Sequence, residues 1–363
     1  MVIIAYVVLI FAVTQLLVAF VNLVFETNLP GSSGERDDLV SVLIPARNEA
    51  KNISNILDDI INQDYRNIEV IVFNDQSEDV TAEIVTKYTI SDRRLSLVNS
   101  GGLPEGWLGK NFACHSLSEK ATGKYFLFLD ADVRIGNDLI ARAISFSERK
   151  DLDLISIFPK QIISTFGERI TVPNMNYILV SLLPLVLVRK LGFPSISAAN
   201  GQFMFFRADT YRKMKPHEAV KADKVEDISI ARIYKENRKK IACLLGDDSI
   251  TCRMYYGFRD AVTGFSKNVI AFFGNSFILA ILFWLITTFG FLPVLYEFSL
   301  PVIFAYFTLY LLTRIFISVS GRQSIFFNLL FIVPLQASMG LFIYRAFINK
   351  NFKKFQWKGR NID

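Results

Sequence analysis

The sequence predicts an α/β domain with a mostly parallel sheet, attached to a membrane by apolar helices at both ends of the chain. The domain is predicted because short apolar runs alternate with helical patterns from residue 39 onward. The membrane attachment is predicted because 52% of the 363 residues are apolar, 33 residues are Phe, and the mean hydropathy is positive. This composition is too apolar for an ordinary soluble domain.

The charged, cysteine and histidine residues argue against several classes of protein. The net charge of +6 lies largely beside hydrophobic segments, which favours contact with anionic lipid headgroups over nucleic acid. The three cysteines have neither metal-ligand spacing nor a pattern of pairs, as is typical of a reducing compartment. Because only two His occur, we expect neither a His-based metal site nor a Ser-His-Asp triad.

Residues 1–25 are predicted to form an N-terminal membrane anchor. Val2–Phe25 is almost continuously apolar and is long enough to span a bilayer. No basic residue precedes it and no small-residue cleavage site follows, so we expect a retained anchor rather than a removed signal peptide. Residues 26–38 read as a linker that contains Gly, Ser and charged residues.

Residues 39–256 are predicted to be the α/β domain, in which strands and helices alternate. The predicted strands are Leu39–Pro45, Ile68–Phe73, Leu95–Val98, an apolar run that ends at Asp130, Asp153–Phe158, and Phe203–Phe206. The predicted helices are Ile53–Ile61, one through Ile84 and Tyr88, Asn111–Ala121, one from Asn137, and one from Glu226 through Ile233. Gly101–Lys110 is a glycine-rich loop, for which an ordinary turn is the alternative to a binding role.

Acidic residues lie just beyond three of these strands. They are Glu49, Asp75, and Asp130 with Asp132. Ligands of open parallel sheets bind beyond the carboxyl ends of the strands, so we expect these side chains on one rim. An Asp-x-Asp pair offers hard oxygen ligands to Mg²⁺ or Mn²⁺, which often use one or two carboxylates and substrate phosphates. Taken alone, such a pair is more often a polar turn or a cap of the helix from Asn137 than a metal site.

Two later segments each leave two interpretations open. Val172–Leu191 is apolar but is interrupted by two prolines and two basic residues, which predicts either helices in the membrane interface or a buried pair of core helices. Glu226 and Asp227 open a predicted helix, where capping and the helix dipole are sufficient reasons for acidic residues.

The C-terminal third is predicted to be membrane-associated. Residues 257–270 read as an amphipathic segment along the membrane surface. Residues 271–348 contain three segments that are long and apolar enough to span, namely Ala271–Pro293, Leu300–Val319 and Ile325–Phe347.

The tail, residues 349–363, is basic through Lys350, Lys353, Lys354, Lys358 and Arg360. The positive-inside rule places this tail in the cytoplasm, whereas four full spans with a cytoplasmic α/β domain would place it outside. We suspect that Ile325–Phe347 does not cross fully, because Asn, Pro and Gln interrupt it.

Taken in order, four acidic motifs resemble those of the family 2 glycosyltransferases, which are inverting enzymes with the GT-A fold that use nucleotide-diphosphate sugars. The motifs are Pro45-Ala46-Arg47-Asn48-Glu49, Asp75-Gln76-Ser77-Glu78-Asp79, Asp130-Ala131-Asp132 and Glu226-Asp227. With an N-terminal anchor and several C-terminal membrane segments, the chain looks like the membrane-bound lipid glycosyltransferases. These include carotenoid-acid, hopanoid-associated and ceramide glucosyltransferases, and we place the chain nearest the carotenoid-acid group.

The resemblance implies a role for each donor-side residue. Asp75 would accept hydrogen bonds from the uracil base, and Pro45 and Glu49 would border the nucleoside. Asp130 would face the ribose and the metal ion, and Asp132 would coordinate Mg²⁺ or Mn²⁺ directly. Lys110 resembles a lysine found near the diphosphate.

On the acceptor side, Asp227 would be the general base, with Glu226 as its neighbour. An inverting displacement needs such a base within hydrogen-bond reach of the attacking oxygen. The chain departs from the processive members of the family, whose Gln-x-x-Arg-Trp block is reduced here to Arg253-Met254-Tyr255-Tyr256. Arg253 would either contact the diphosphate or lie at the lipid interface.

The resemblance therefore implies an inverting, metal-dependent transfer of one hexose, glucose by analogy, from a UDP-sugar to a membrane lipid. We expect a multi-pass protein of the inner or plasma membrane with its catalytic domain in the cytoplasm. Within the enzyme class, the alternatives are transfer to a polyprenyl phosphate and, less favoured, a processive polysaccharide synthase. Outside it, the alternative is a transporter or membrane scaffold with a degenerate nucleotide-binding fold.

Overall fold

The computed structural model describes residues 1–25, 27–32, 36–352, 356–357 and 360–361. Four residues of the predicted linker (26 and 33–35) and the basic residues Lys353, Lys354 and Lys358 of the tail lie outside this description.

The strands, in chain order, are β1 (Val40–Ala46), β2 (Ile68–Asn74), β3 (Leu95–Asn99), β4 (Tyr125–Leu129), β5 (Val133–Ile135), β6 (Leu154–Phe158), β7 (Lys160–Gln161), β8 (Phe203–Arg207), β9 (Ile241–Leu245), β10 (Ile250–Cys252), β11 (Gln356–Trp357) and β12 (Arg360–Asn361). The six predicted strands correspond to β1, β2, β3, β4, β6 and β8. The others were not predicted.

The helices of the first half are α1 (Val2–Val24), α2 (Ile53–Ile61), α3 (Thr81–Ser91), α4 (Gly109–Lys120), α5 (Leu139–Lys150), α6 (Phe166–Arg169), α7 (Pro173–Leu182) and α8 (Leu185–Lys190). Those of the second half are α9 (Ala208–Met214), α10 (Pro216–Ala219), α11 (Glu226–Glu236), α12 (Phe258–Asn268), a 3-10 turn (Ala271–Phe273), α13 (Phe277–Phe289), α14 (Phe291–Glu297), α15 (Leu300–Ser320), α16 (Ile325–Leu330) and α17 (Ile332–Phe352).

Within the described residues, a seven-stranded sheet in the order β3-β2-β1-β4-β8-β6-β9 forms the centre of the α/β domain. Only β8 runs antiparallel to its neighbours, so the sheet is mostly parallel, as predicted. Val42 of β1 lies opposite Val70 of β2 on one side and Leu127 of β4 on the other. The carboxyl ends of β2, β1 and β4 therefore form one continuous rim, and the acidic loops follow there.

Apolar cores on both faces hold the sheet in place. The first core packs α2 and α5 against one face. The second packs α4, α7 and α11 against the other face and continues into α13, α15 and α17. The α/β domain and the apolar helices thus share one buried core, which holds this face of the sheet against the apolar helices.

Helix α7 is buried along nearly its whole length, so the core interpretation of Val172–Leu191 describes this helix better than the interface interpretation. The helix packs against α1 and α15. Asn22 of α1 donates from Nδ2 to the carbonyls of Val180 (3.0 Å) and Leu183 (2.9 Å), and its Oδ1 accepts from the amide of Leu185 (2.7 Å). These bonds satisfy the backbone groups at the break that Pro184 makes between α7 and α8.

Within the described part of the chain, two helices are long and apolar enough to cross a membrane: α1 and α15. A third candidate is the pair Phe258–Phe273 and Phe277–Phe289, which is bent by 100°. The predicted span Ala271–Pro293 is interrupted at this bend, where Gly274 and Asn275 have φ of 63° and 64°. The predicted span Ile325–Phe347 is divided between α16 and α17. The number of spans and the side on which the tail lies remain predictions.

Candidate active site

A cleft of about 290 Å³ opens at the carboxyl end of β4. The start of α4, the turn after β4, the loop before β8, the start of α11 and the end of α12 surround it. Five of the predicted site residues line it together, namely Lys110, Asp130, Asp132, Glu226 and Asp227. Residues as far as 117 positions apart in the sequence thus meet in one place.

Lys110 links the two acidic groups of the cleft. Its Nζ lies 2.9 Å from Oδ1 of Asp130 and 3.2 Å from Oε1 of Glu226. Burial lowers the pKa of Lys110, but the charges of Asp130 and Glu226 more than offset this effect and hold the pKa well above its usual value. Lys110 therefore stays a cation and compensates two carboxylates that face each other across the cleft.

Of the carboxylates in the cleft, Asp132 is the one whose environment most favours binding of a cation. Its Oδ1 is buried and has no hydrogen-bond partner among the described residues. Burial, and then the charge of Asp130, raise the pKa of Asp132 to about 6. A divalent ion would satisfy the buried oxygen and relieve the repulsion between the two carboxylates.

Asp130 and Asp132 are thus the residues that could hold a metal ion, with Asp132 in the more favourable position. Within the described ranges, no group of three or more His, Cys, Asp or Glu residues could hold one. A site with two carboxylates suits Mg²⁺ or Mn²⁺ when substrate phosphates complete the coordination.

Asp227 lies on the other side of Lys110, at the start of α11. Its Oδ2 accepts a hydrogen bond from the amide of Gly201 (2.9 Å), and its Oδ1 accepts one from the amide of Ile228 (2.8 Å). Burial, and then the charge of Glu226, raise its pKa to about 7. A carboxyl group with this pKa can take a proton near neutral pH, as a general base must.

The predicted nucleoside residues lie on the same rim but outside the 290 Å³ cleft. Asp75 directly follows β2 and is buried, and its amide donates to the carbonyl of Ala46 (2.8 Å). Pro45 belongs to β1, and Glu49 accepts from Nδ2 of Asn52 (2.9 Å). These contacts hold the loops after β1 and β2 together.

Arg47 lies in the motif around Pro45, and its role becomes clear only from its contacts in the structure. Its Nη1 donates to the backbone carbonyls of Asp75 (2.7 Å) and Gln76 (3.1 Å). The guanidinium therefore ties the loop after β1 to the loop after β2, and in this way positions the carboxylate of Asp75.

Arg253 does not line the cleft, although Met254 and Tyr255 do. Its Nη2 donates to Oε1 of the fully buried Glu168 (2.9 Å), and its guanidinium lies 4.5 Å from the ring centroid of Tyr256. The structure therefore places Arg253 in an ion pair with α6. A contact between Arg253 and a diphosphate remains a prediction.

The structure adds Gly201 and the end of α12 to the predicted site. A Cβ on Gly201 would lie 2.9 Å from Nζ of Lys110 and 3.0 Å from Oε1 of Glu226, so only glycine leaves this space open. Gly264 of α12 packs so closely on the ring of Tyr255 that a Cβ would lie 2.1 Å from it. This contact brings Lys267 of the predicted amphipathic segment to the edge of the cleft.

With this geometry, comparison with known proteins decides the family. Residues 41–215 match the family described as glycosyl transferase family 2. These residues form a glycosyltransferase family 2 domain. The matched residues contain β1, β2 and β4 with their acidic loops, and the helix that begins at Glu226 follows them.

The relatives of this chain include enzymes named 4,4'-diaponeurosporenoate glycosyltransferase. The one from Staphylococcus haemolyticus is 26% identical over 245 residues, which cover 65% of this chain and 62% of the relative. The one from Staphylococcus aureus (strain USA300) is 26% identical over 260 residues, which cover 68% of this chain and 65% of the relative. The similarity thus spans slightly less than two thirds of these relatives.

A solved structure of similar fold is the mannosyltransferase PcManGT from Pyrobaculum calidifontis, in complex with GDP-Man and Mn²⁺. The TM-score is 0.56 at 16% identity, and the superposition covers 96% of this chain and 99% of that chain. At this identity the likeness concerns the fold alone. It confirms the predicted GT-A fold.

Proposed function

We propose that the protein transfers a single hexose, glucose by resemblance, from a UDP-sugar to a membrane lipid such as a carotenoid acid, with inversion at the anomeric carbon. The observation that carries this proposal is the meeting of Asp130, Asp132 and Asp227 in one cleft, bordered by the end of α12. The names of the relatives support a carotenoid-type acceptor.

On the donor side, Asp132 and Asp130 would hold a divalent cation, Mg²⁺ or Mn²⁺. When bound, this ion supplies positive charge that neutralises the departing diphosphate. Lys110 keeps Asp130 in place beside the cleft, and Asp75, Pro45 and Glu49 lie at the end of the rim where the uracil nucleoside would bind.

On the acceptor side, Asp227 is the general base. The acceptor oxygen attacks C1 of the sugar, the bond between C1 and the diphosphate oxygen breaks, and the nucleotide leaves with the electron pair. The proton of the acceptor hydroxyl or carboxyl passes to Asp227, whose pKa of about 7 is suited to accept it. The amides of Gly201 and Ile228 hold the carboxylate in a fixed position during this step.

The membrane lies beside the cleft in this proposal. Helix α12 carries Lys267 at the cleft edge, and the chain then bends by 100° into α13. Several large apolar side chains of α13 are exposed, among them Ile278, Leu279 and Leu282, as expected for a helix that contacts lipid. A long apolar acceptor can reach a site at the bilayer surface without exposing its chain to water. The same reasoning supports a protein of the inner or plasma membrane with its cleft on the cytoplasmic side, where UDP-sugars are made.

The test is to incubate membranes that contain the protein with a series of radiolabelled UDP-sugars, and to identify the lipid that becomes labelled. The proposal predicts label from one UDP-hexose in one lipid class, and no label in membranes without the protein. UDP release without a labelled lipid, or no turnover of any UDP-sugar, would contradict it. Asp227→Asn then separates acceptors, because near-full activity of this variant would favour an acceptor group that is already ionised at neutral pH, such as a polyprenyl phosphate or a carboxylate, over a hydroxyl, whose proton needs a base.

A further inference from the structure

A second cavity of about 450 Å³ lies behind the catalytic cleft, and its lining is mostly apolar. We call it the apolar cavity. Its walls come from α7 (Ile178, Leu179 and Leu182), the loop 194–199, Ile228 of α11 and the 3-10 turn. Apart from the backbone amide of Ile228, the proposed reaction uses none of these residues, although the cavity is larger than the cleft itself.

A third cavity lies between the apolar cavity and the cleft and has lining residues in common with each. This connecting cavity of about 260 Å³ shares residues 223–225 with the cleft. On its other side it shares Ile228, Arg232 and Ala271 with the apolar cavity. Because Asp227 lines the cleft and Ile228 lines the apolar cavity, consecutive residues of α11 face the two spaces. A molecule that offers an oxygen to Asp227 would reach the apolar cavity through the connecting cavity, along the side of α11 that carries Ile228.

The walls of the apolar cavity also lead toward the apolar helices. Leu182 at the end of α7 is 37% exposed, and Phe193 beside the loop 194–199 is 62% exposed. The 3-10 turn directly precedes α13, whose apolar surface is exposed. The small residues Ala198, Ala199 and Ala271 leave the space between these walls open.

One polar atom at the apolar cavity points to a ligand as well. The hydroxyl of Ser197, which lines the cavity, is buried and has no hydrogen-bond partner among the described residues. A buried hydroxyl without a hydrogen-bond partner costs free energy. We therefore expect a water molecule or a polar group of the ligand to form a hydrogen bond with Ser197.

We infer that the apolar cavity binds the single extended apolar chain of the lipid acceptor, with the reactive head at Asp227. This inference rests on the proposed function. It narrows the acceptor to lipids with one chain, such as polyenes or single acyl chains, because a volume of about 450 Å³ matches one long hydrocarbon chain better than two. The apolar lining supplies binding energy that a two-carboxylate cleft cannot supply.

The experiment uses the full chain in phosphatidylcholine nanodiscs and a long-chain alcohol that carries a photoreactive diazirine. After irradiation, the labelled peptides are identified by mass spectrometry. We expect label in 173–182 and 194–199 in the wild type, and competition by retinol, which has one polyene chain. Dioleoylglycerol, which has two chains, should not compete.

The decisive variant is Leu182→Trp, which fills the apolar cavity from its exposed edge. The Trp side chain should displace about two methylene groups of the bound chain from the cavity. We therefore expect about tenfold weaker binding of the probe and about tenfold slower sugar transfer. The matched control is Leu285→Trp on α13, because Leu285 has a similar exposure (41%) and does not line the cavity. UDP binding should be the same in both variants and in the wild type, which also shows that both are folded.

Label that is confined to α1, α13 and α15, or wild-type transfer by Leu182→Trp, would overturn the inference and leave the proposed function standing. Competition by dioleoylglycerol as strong as by retinol would overturn the restriction to one chain. Label in the cavity without sugar transfer from any UDP-sugar would contradict the proposed function, but it would support the cavity as a site for one chain.

Discussion

Lys110 Nζ lies 2.9 Å from Oδ1 of Asp130. Because the same ammonium lies 3.2 Å from Glu226, one cation connects the turn after β4 to the helix that carries Asp227. The donor and acceptor sides of the cleft are therefore held at a fixed separation. The amide of Gly201 completes this arrangement by donating to Asp227.

Gly201→Ala should lower transferase activity by at least about tenfold while the protein stays folded. The new Cβ would lie 2.9 Å from Nζ of Lys110 and 3.0 Å from Oε1 of Glu226, so the ion pair must move. Activity and thermal unfolding are measured together. Gly192→Ala is the control, since no atom lies within 4 Å of a Cβ there. Full activity of Gly201→Ala would show that this ion pair does not shape the site.

Transferase activity should depend on the pH through Asp227. Its pKa is raised to about 7, and the base must be deprotonated. Activity should therefore rise with pH and level off above 7, and fall by about tenfold per unit well below it. UDP binding is measured over the same pH range as a control. The pKa of Asp132 is raised to about 6, so protonation of this group lowers activity through weaker nucleotide binding rather than through the base. A rate that stays constant from pH 5 to 8 would contradict the role of Asp227 as the base.

The stability of the fold should depend on the pH through His217. Burial, and then the charges of Lys110 and His115, lower the pKa of this imidazole to about 3, and its Nδ1 lies 2.6 Å from the hydroxyl of Tyr211. The unfolded chain takes up a proton below pH 6.5, whereas the folded chain does not until about pH 3. The contribution of neutral His217 is therefore fully present above pH 6.5 and is lost as the pH falls toward 3.

At pH 5.5 this loss should amount to about 1.4 kcal/mol of unfolding free energy. His217→Gln should flatten the dependence, because Gln can accept the bond from Tyr211 without titrating. Melting temperatures at pH 7.5 and 5.5 measure the effect. An equal shift in the wild type and in His217→Gln would assign the dependence to other groups.

Asn22→Leu should destabilise the contact between α1 and α7. The substitution removes the side-chain hydrogen bonds of Asn22 to the carbonyls of Val180 and Leu183 and to the amide of Leu185. A buried polar group that is left unsatisfied costs about 1–3 kcal/mol of stability. Thermal unfolding in detergent measures the loss. Thr14→Leu is the control, because the exposed hydroxyl of Thr14 bonds only to the carbonyl of Ile10 on the same helix. Equal melting temperatures of the two variants would contradict the expected loss.

Much of the sheet could be predicted from the sequence because buried parallel strands are short apolar runs with turn residues on both sides. The strands β5, β7 and β10 could not, since they have two or three residues and no clear period. The strand β9 is a five-residue apolar run after a helix, which periodicity alone cannot distinguish from more helix. The burial of α7 depends on α1 and α15, so the interval Val172–Leu191 left two interpretations open.

Asp130 and Asp132 could be predicted because strand ends of a parallel sheet meet on one rim, whereas Glu226 and Asp227 open a helix and were indicated only by the family resemblance. Gly201 and Lys267 could not, since their positions follow from the packing of a loop and of α12 around the cleft. The ion pair between Arg253 and Glu168 joins residues 85 positions apart, and no local pattern indicates it. The same holds for Asn22, whose polar side chain within an apolar helix has its partners in α7 and α8.

The most direct test of the central claim, that the carboxylates after β4 hold a cation that binds the sugar nucleotide, is calorimetric titration of the purified protein with UDP, with and without Mn²⁺. We predict that Mn²⁺ strengthens UDP binding to the wild type and has no effect on Asp132→Asn, whereas the exposed-site control Asp209→Asn behaves like the wild type. UDP affinity that is the same with and without Mn²⁺ in the wild type would contradict the claim.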